Sequence, residues 1–327
     1  MPLLSVALPV HPAPVPLLRH ADAPHPERGV ARGELIRVRH GVYASTVLWR
    51  EAAPWDRYLA RVHAVALSHP DAVFCMESAA ALLGMPIFGD PVVVHALVTG
   101  NEASRFSAGI RTHRSSEDRT IIEVGGLAMT SLHDTAVDLA RLRHEAIGMA
   151  MSDAALRLDP QGTRDLLLGM NETRISSRGR NVARWSLARS TSQAETAIES
   201  VSRAVIEWLG FPAPELQVAF RASSGEEDRA DFVWRAADLV GEADGDLKYD
   251  GRYGDARTVL RRQSLRDTRL RMRVRDVARW GWRDVTTFAP LRGILAGAGL
   301  QPIAPEQSVK LHRLKVLLAP RATHPLA

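Results

Sequence analysis

The spacing of hydrophobic and polar positions changes period several times along this chain. Residues 56–69 place Leu59, Val62 and Ala66 at helical spacing, and residues 76–83 form a second helical run closed by Gly84 and Pro86. Residues 92–98, 110–114 and 120–129 read instead as strands, the last bent at Gly125-Gly126. Ser131 then starts a helix, with Asp134 three residues on as a capping box in which Asp replaces Glu. Ser131, His133 and Asp134 therefore mark a helix start rather than a hydrolase triad. Residues 152–190 read as a helical connector whose late part, ISSRGRNVARWSLARS, is rich in Arg and poor in core-forming residues. Such a segment spans domains or touches phosphate.

The period shortens again at residues 229–249, RADFVWRAADLVGEADGDLKY. Residues 230–234 and 237–242 are runs of β-formers joined by a polar turn around Arg235, which predicts a hairpin. Asp231 and Glu242 then project from adjacent strand ends and can meet at one point, with Asp244 and Lys248 close behind. Paired carboxylates beside a cation are what metal-dependent cleavage of a phosphodiester requires. Ordinary solvent-facing strand acids would give the same spacing, so the pattern alone leaves both readings open.

Charge sharpens the picture. The chain holds 42 Lys+Arg against 37 Asp+Glu, a formal net charge of +5, but the excess is concentrated: residues 248–283 carry twelve Lys or Arg against four Asp. Most are Arg, whose planar fork suits phosphate, so the stripe implies a nucleic-acid partner unless it is only a solvated helix face. The single cysteine, Cys75, lies in an apolar setting, which excludes an internal disulfide and reads as packing in a reducing, cytoplasmic compartment. The proline-rich opening has no cationic start, no run approaches a membrane span, and no phosphate-binding glycine loop or zinc-type His spacing is present.

Domain limits follow from these shifts. Residues 1–16 form a flexible lead, 17–150 a first region, 151–190 the connector, 191–290 a second domain, and 291–327 a short Gly-rich helix and a basic tail with Lys310, Arg313 and Lys315. Within the first region, Gly29, Gly33 and Gly41 punctuate two short β-like runs that carry Arg37, Arg39 and His40. They resemble the wing of a degraded winged helix-turn-helix, as found at the start of AbiEi-type antitoxins, which implies a DNA contact through these residues; the alternative is a small packed module.

Residues 191–285 resemble the Vsr-like endonuclease domains, named for very-short-patch repair, a branch of the PD-(D/E)XK nuclease superfamily. The ordered set that carries this is Glu199-Ser200 and Arg203, Gly210-Phe211-Pro212, Pro214, Leu216-Gln217, the Arg229-x-Asp231-Phe232-x-Trp234 element, and Gly241-Glu242-x-Asp244-Gly245-x-x-Lys248-Tyr249. Arg266, Leu270 and Arg271 follow on a helix, then Val277, Arg279, Trp280, Trp282 and Asp284 on a closing strand. The resemblance implies that Asp231 and Glu242 bind Mg²⁺ or Mn²⁺, that Glu199 supports them, and that Gln217 adjoins on the neighbouring strand; Arg262, Arg266 and Arg279, in the Arg-rich stripe, are the expected nucleic-acid contacts. The superfamily lysine two residues after the second acid is replaced here by Asp244, which leaves Lys248 to supply the cation, and Gln263-Ser264 stands where related chains carry an acid-base pair.

The middle of the chain resembles AbiEi-type antitoxins through Glu77-Ser78-Ala79-Ala80, Leu83-Gly84-Met85-Pro86, residues 126–131, residues 135–141 and residues 153–156. The joint expectation is an α+β protein: a winged-helix and antitoxin-like N-terminal region, then a restriction-endonuclease-like mixed sheet flanked by helices. The expected function is Mg²⁺-dependent DNA cleavage, with a toxin–antitoxin or defence partner implied by resemblance. The competing expectation is a non-catalytic DNA-binding regulator with a degenerate nuclease fold.

Overall fold

A computed structural model describes residues 9–98, 103–115, 118–221, 227–244, 266 and 268–319. The chain is a mixed α+β protein with mixed sheets. It divides into two compact units, Met1–Arg143 with Gln161–Ala188, and His144–Pro160 with Arg189–Ala327. Residues 151–190 are thus shared between the units: the helix Glu145–Leu158 packs in the second with the helix Ala197–Trp208, while Arg164–Thr173 and Arg180–Leu187 belong to the first.

The first unit contains two sheets. β1 (Leu18–Arg19), β2 (Leu35–Arg39) and β3 (Val42–Ser45) pair antiparallel in the order β1-β3-β2. The helix Pro26–Ala31 occupies part of what the glycine spacing reads as β-like. The opening stretch is tied down from His11 onward. Its backbone N–H donates to Leu82, its carbonyl meets His63 Nε2 at 2.8 Å, and Val15 is buried.

The larger sheet runs β6-β7-β5-β4-β9-β8, made of β4 (Val73–Phe74), β5 (Val94–Val98), β6 (Phe106–Ser107), β7 (Ile110–Arg114), β8 (Ile121–Val124) and β9 (Leu127–Thr130). The expected single bent strand over 120–129 is instead the β8–β9 hairpin. Gly125 and Gly126 both have positive φ, 58° and 75°, and two such residues in succession reverse the chain in a tight turn. Ser131 caps the helix Leu132–Leu142, accepting from the Asp134 N–H at 3.1 Å, but the reciprocal half of the expected box is absent. Asp134 accepts from the Thr120 N–H instead, tying the helix to the residue that precedes β8.

The second unit is built on one sheet in the order β10 (Glu215–Arg221), β11 (Glu227–Trp234), β12 (Leu239–Ala243), β13 (Asp276–Trp280). β10, β11 and β12 pair antiparallel and β12 with β13 parallel. One cluster gathers Ala230, Val233, Val240, Leu270, Val274 and Val277. A second gathers the rings of Phe232, Trp234 and Trp280, with Trp280 Nε1 donating to Ser202 on the helix Ala197–Trp208. Gly241 is required where these rings meet: an added Cβ would lie 2.5 Å from Trp280 Cη2. The expected closing strand ends at Trp280. Trp282 and Asp284 lie in the helix Trp282–Thr287, because Asp284 accepts from the Gly281 N–H at 2.9 Å and starts a helical turn there. Lys310, Arg313 and Lys315 of the basic tail lie on a helix, Ser308–Leu318.

Candidate functional site

Register decides whether the two acids can meet. Val233 pairs with Val240 across the β11–β12 hairpin. Asp231 and Glu242 each lie two residues further towards the same end, so the hairpin sets the two acids beside one another at that end of the sheet. Asp231 Oδ2 accepts from the Ala243 N–H at 3.0 Å, which locks the strand end in this register. Glu242 in turn pairs with Arg279 on β13.

Glu199 joins from the first turn of the helix Ala197–Trp208. Its carboxylate is held by the Thr196 hydroxyl at 2.6 Å and by the Glu195 N–H at 2.9 Å. Gln217 Nε2 links it to Asp231, donating to Glu199 Oε2 at 2.9 Å and Asp231 Oδ1 at 3.4 Å. The amide nitrogen must face the acids, since a flipped amide would set an oxygen against two carboxylates. Its Oε1 is consequently buried with no hydrogen-bond partner among the described residues. Gln217 also has φ of 51° inside a strand, a left-handed conformation that costs a non-glycine residue roughly 1–3 kcal/mol and tends to persist at functional sites.

Burial and proximity set the electrostatics. Glu242 is almost fully enclosed, and burial, reinforced by the negative charge of Asp231, pushes its carboxyl up to about 7. Burial also raises Glu199, opposed by its hydrogen bonds and supported by Asp231. Arg266 offsets part of this by donating to both Glu242 oxygens at 2.8 Å. Asp244 accepts from Arg279 Nη1 at 2.9 Å. Among the described residues, no group of three His, Cys, Asp or Glu is placed to hold a metal ion. Lys248 and Arg262 lie outside the described residues, as do Gln263 and Ser264.

Arg37 and Arg39 sit in the first unit on β2, far from these acids in sequence. Arg37 is exposed; Arg39 is half-buried, and burial lowers its pKa.

The first unit holds a polar cluster that the sequence reading missed. Glu77 pairs with Arg143 through two hydrogen bonds, from Nε and, at 2.9 Å, from Nη2. His95 Nδ1 lies 2.8 Å from His113 Nε2, and His95 Nε2 lies 3.7 Å from Glu77. Burial drives His95 down to about 4 despite Glu77. The parallel pairing of Leu97 with His113 sets His95 and His113 on one face of the sheet, a relation that sequence spacing does not reveal. Cys75 is buried, as expected for packing, and burial pushes its thiol up.

No family model matches the chain, and no solved structure matches it. Two curated relatives do: uncharacterized protein MT2308 of Mycobacterium tuberculosis strain CDC 1551 / Oshkosh and uncharacterized protein Rv2248 of strain ATCC 25618 / H37Rv. Each is 34% identical over 216 residues, covering 65% of this chain and 74% of the relative. At that identity and coverage, the chain belongs to the family of these mycobacterial proteins.

Proposed function

We propose that the second unit is a restriction-endonuclease-like domain that hydrolyses DNA phosphodiesters with Mg²⁺ or Mn²⁺. The observation that carries this is the linkage of Glu199, Gln217, Asp231 and Glu242 at one end of the sheet. The donor set is all oxygen, which suits a hard divalent cation, and Mg²⁺ commonly takes only one or two carboxylates and fills its shell with water. Asp231 and Glu242 would hold the ion, with Gln217 Nε2 bridging Asp231 to Glu199 beside it. A bound ion would supply charge neutralisation at the phosphate and a more acidic water.

The remaining roles belong to the chain itself. Gln217 orients Asp231 and shields it from Glu199. Glu242, its carboxyl raised to about 7 by burial and by Asp231 while no ion is bound, would act as a carboxylate ligand once an ion offsets that negative charge. Lys248 would offset charge on the transferred phosphoryl group, and the Arg-rich stripe, with Arg262, Arg266 and Arg279, would track the DNA backbone. The β2–β3 hairpin would add a winged-helix-type contact through Arg37 and Arg39. A toxin–antitoxin or defence context rests on the AbiEi-like residues 77–86 and 126–156 alone.

The test is cleavage of single- and double-stranded DNA with Mg²⁺ and Mn²⁺ by wild type, Asp231→Ala and Glu242→Ala. Loss of cutting with DNA affinity retained supports the enzyme. A second reading, a DNA-binding regulator with a silent nuclease fold, is favoured by Arg279 on Asp244 and by Arg266 on Glu242. Wild type that binds DNA and cuts nothing in either metal would establish it.

A further inference from the structure

A carboxylate can hold a divalent ion only through oxygens that point at it, and Arg266 already engages both oxygens of Glu242. The donor is one terminal nitrogen, Nη2, which also donates to the backbone carbonyl of Arg229, two residues before Asp231. The Glu242 side chain is 2% exposed and that of Arg266 27%, so solvent screens the pair weakly while the guanidinium keeps an edge to water. The position two residues after Glu242 holds Asp244, itself paired with Arg279. The cation bonded to Glu242 therefore comes from the segment after the hairpin and not from β12.

We propose that Arg266 is the working cation of this site: it competes with a divalent ion for Glu242 and transfers to the scissile phosphate when ion and DNA bind. This rests on the nuclease reading above. Phosphate oxygens offer the guanidinium the same charge-assisted bonds that Glu242 does, and Arg is suited to them by its fork geometry. The Arg229 carbonyl gives the side chain an anchor beside Asp231 during the transfer. Ion and DNA then favour each other's binding, because each relieves the contact that opposes the other.

The experiment is calorimetric titration of the full chain with Mn²⁺ in the absence of DNA, paired with Mn²⁺-dependent cleavage of plasmid DNA, for wild type, Arg266→Gln, Arg266→Lys and Asp231→Ala. Arg266→Gln should bind Mn²⁺ roughly ten- to hundred-fold more tightly, yet cut at least about a hundred-fold more slowly. Arg266→Lys, with a cation but without the fork, should fall between wild type and Gln in both readouts, and it carries the test if the Gln variant does not fold. A purely structural arginine would lower both quantities together. If Asp231→Ala abolishes Mn²⁺ binding or cleavage while Arg266→Gln binds no more tightly than wild type, the competition is overturned and the nuclease reading stands. If wild type shows neither Asp231-dependent Mn²⁺ binding nor cleavage, that reading fails and the proposal with it.

Discussion

Asp231 and Ala243 are joined by a hydrogen bond from the Ala243 backbone N–H to Asp231 Oδ2, 3.0 Å long, and this bond sets where Glu242 stands. The acid thus clamps the strand end as well as standing in the candidate site. Asp231→Asn keeps an acceptor oxygen for the clamp and removes the charge. Metal-dependent cleavage should be lost. Glu242 should titrate closer to the ordinary range, since the Asp231 charge helps to raise it. Carboxyl chemical shifts followed by NMR over pH would report that fall.

Glu242, buried at the candidate site, opposes folding near neutral pH. Its carboxyl is raised from 4.5 to about 7, so between those values the folded chain binds a proton that the unfolded chain has released. Stability attached to this group is full below pH 4.5 and lost as pH rises through 7. The shift corresponds to about 3 kcal/mol. Glu242→Gln should therefore be more stable than wild type at pH 8, with the difference shrinking towards pH 4.5. Urea unfolding at several pH values measures it.

His95 gives the first unit the opposite dependence. Its pKa falls from 6.5 to about 4 on folding, chiefly through burial, so in that window the unfolded chain takes up a proton that the folded chain refuses. Stability is full above pH 6.5 and drops by about 3 kcal/mol towards pH 4. Hydrogen exchange of the β5 amides should show the acid-side loss, and His95→Leu should flatten it.

Gly241 tests the packing that supports the site. A methyl group at this position would meet Trp280 and Trp234, two rigid indoles, at 2.5 and 3.0 Å. Gly241→Ala should cost roughly 1–3 kcal/mol, the range for an overpacked core. Because Glu242 is the next residue, Asp231-dependent Mn²⁺ affinity should weaken as well, which calorimetry can follow.

Binding should depend steeply on salt if the Arg-rich stripe meets phosphate, with little preference among DNA sequences. Fluorescence anisotropy across salt concentrations checks this, and a flat response would remove the nucleic-acid partner from both functional readings.

The β11–β12 hairpin was legible because a turn at Arg235 separates two runs of β-formers that need no distant partner. The Ser131 cap was legible for the same reason. β13 was less so: its parallel partner lies across a long crossover, and nothing in the local pattern of residues 276–284 marks Trp280 as the last strand residue. Gly125-Gly126 is ambiguous between a bend and a reversal until both φ values are known. Arg266 on Glu242 and Glu77 with Arg143 join residues far apart in sequence, where composition records a charge but not its partner.

The helix Glu145–Leu158 carries a consequence for how this chain can be cut, synthesised or recombined. Its Asp153 is fully buried in the second unit, accepting from the Thr191 N–H and from Arg203, although residues of the first unit follow it in sequence. A fragment beginning near residue 190 would keep all four strands yet strand Arg203 without its carboxylate. On the ribosome, this helix emerges well before the residues that bury it. The second unit is therefore not a cassette that a single cut could transplant, and any exchange that preserved it would have to carry two separate stretches of chain.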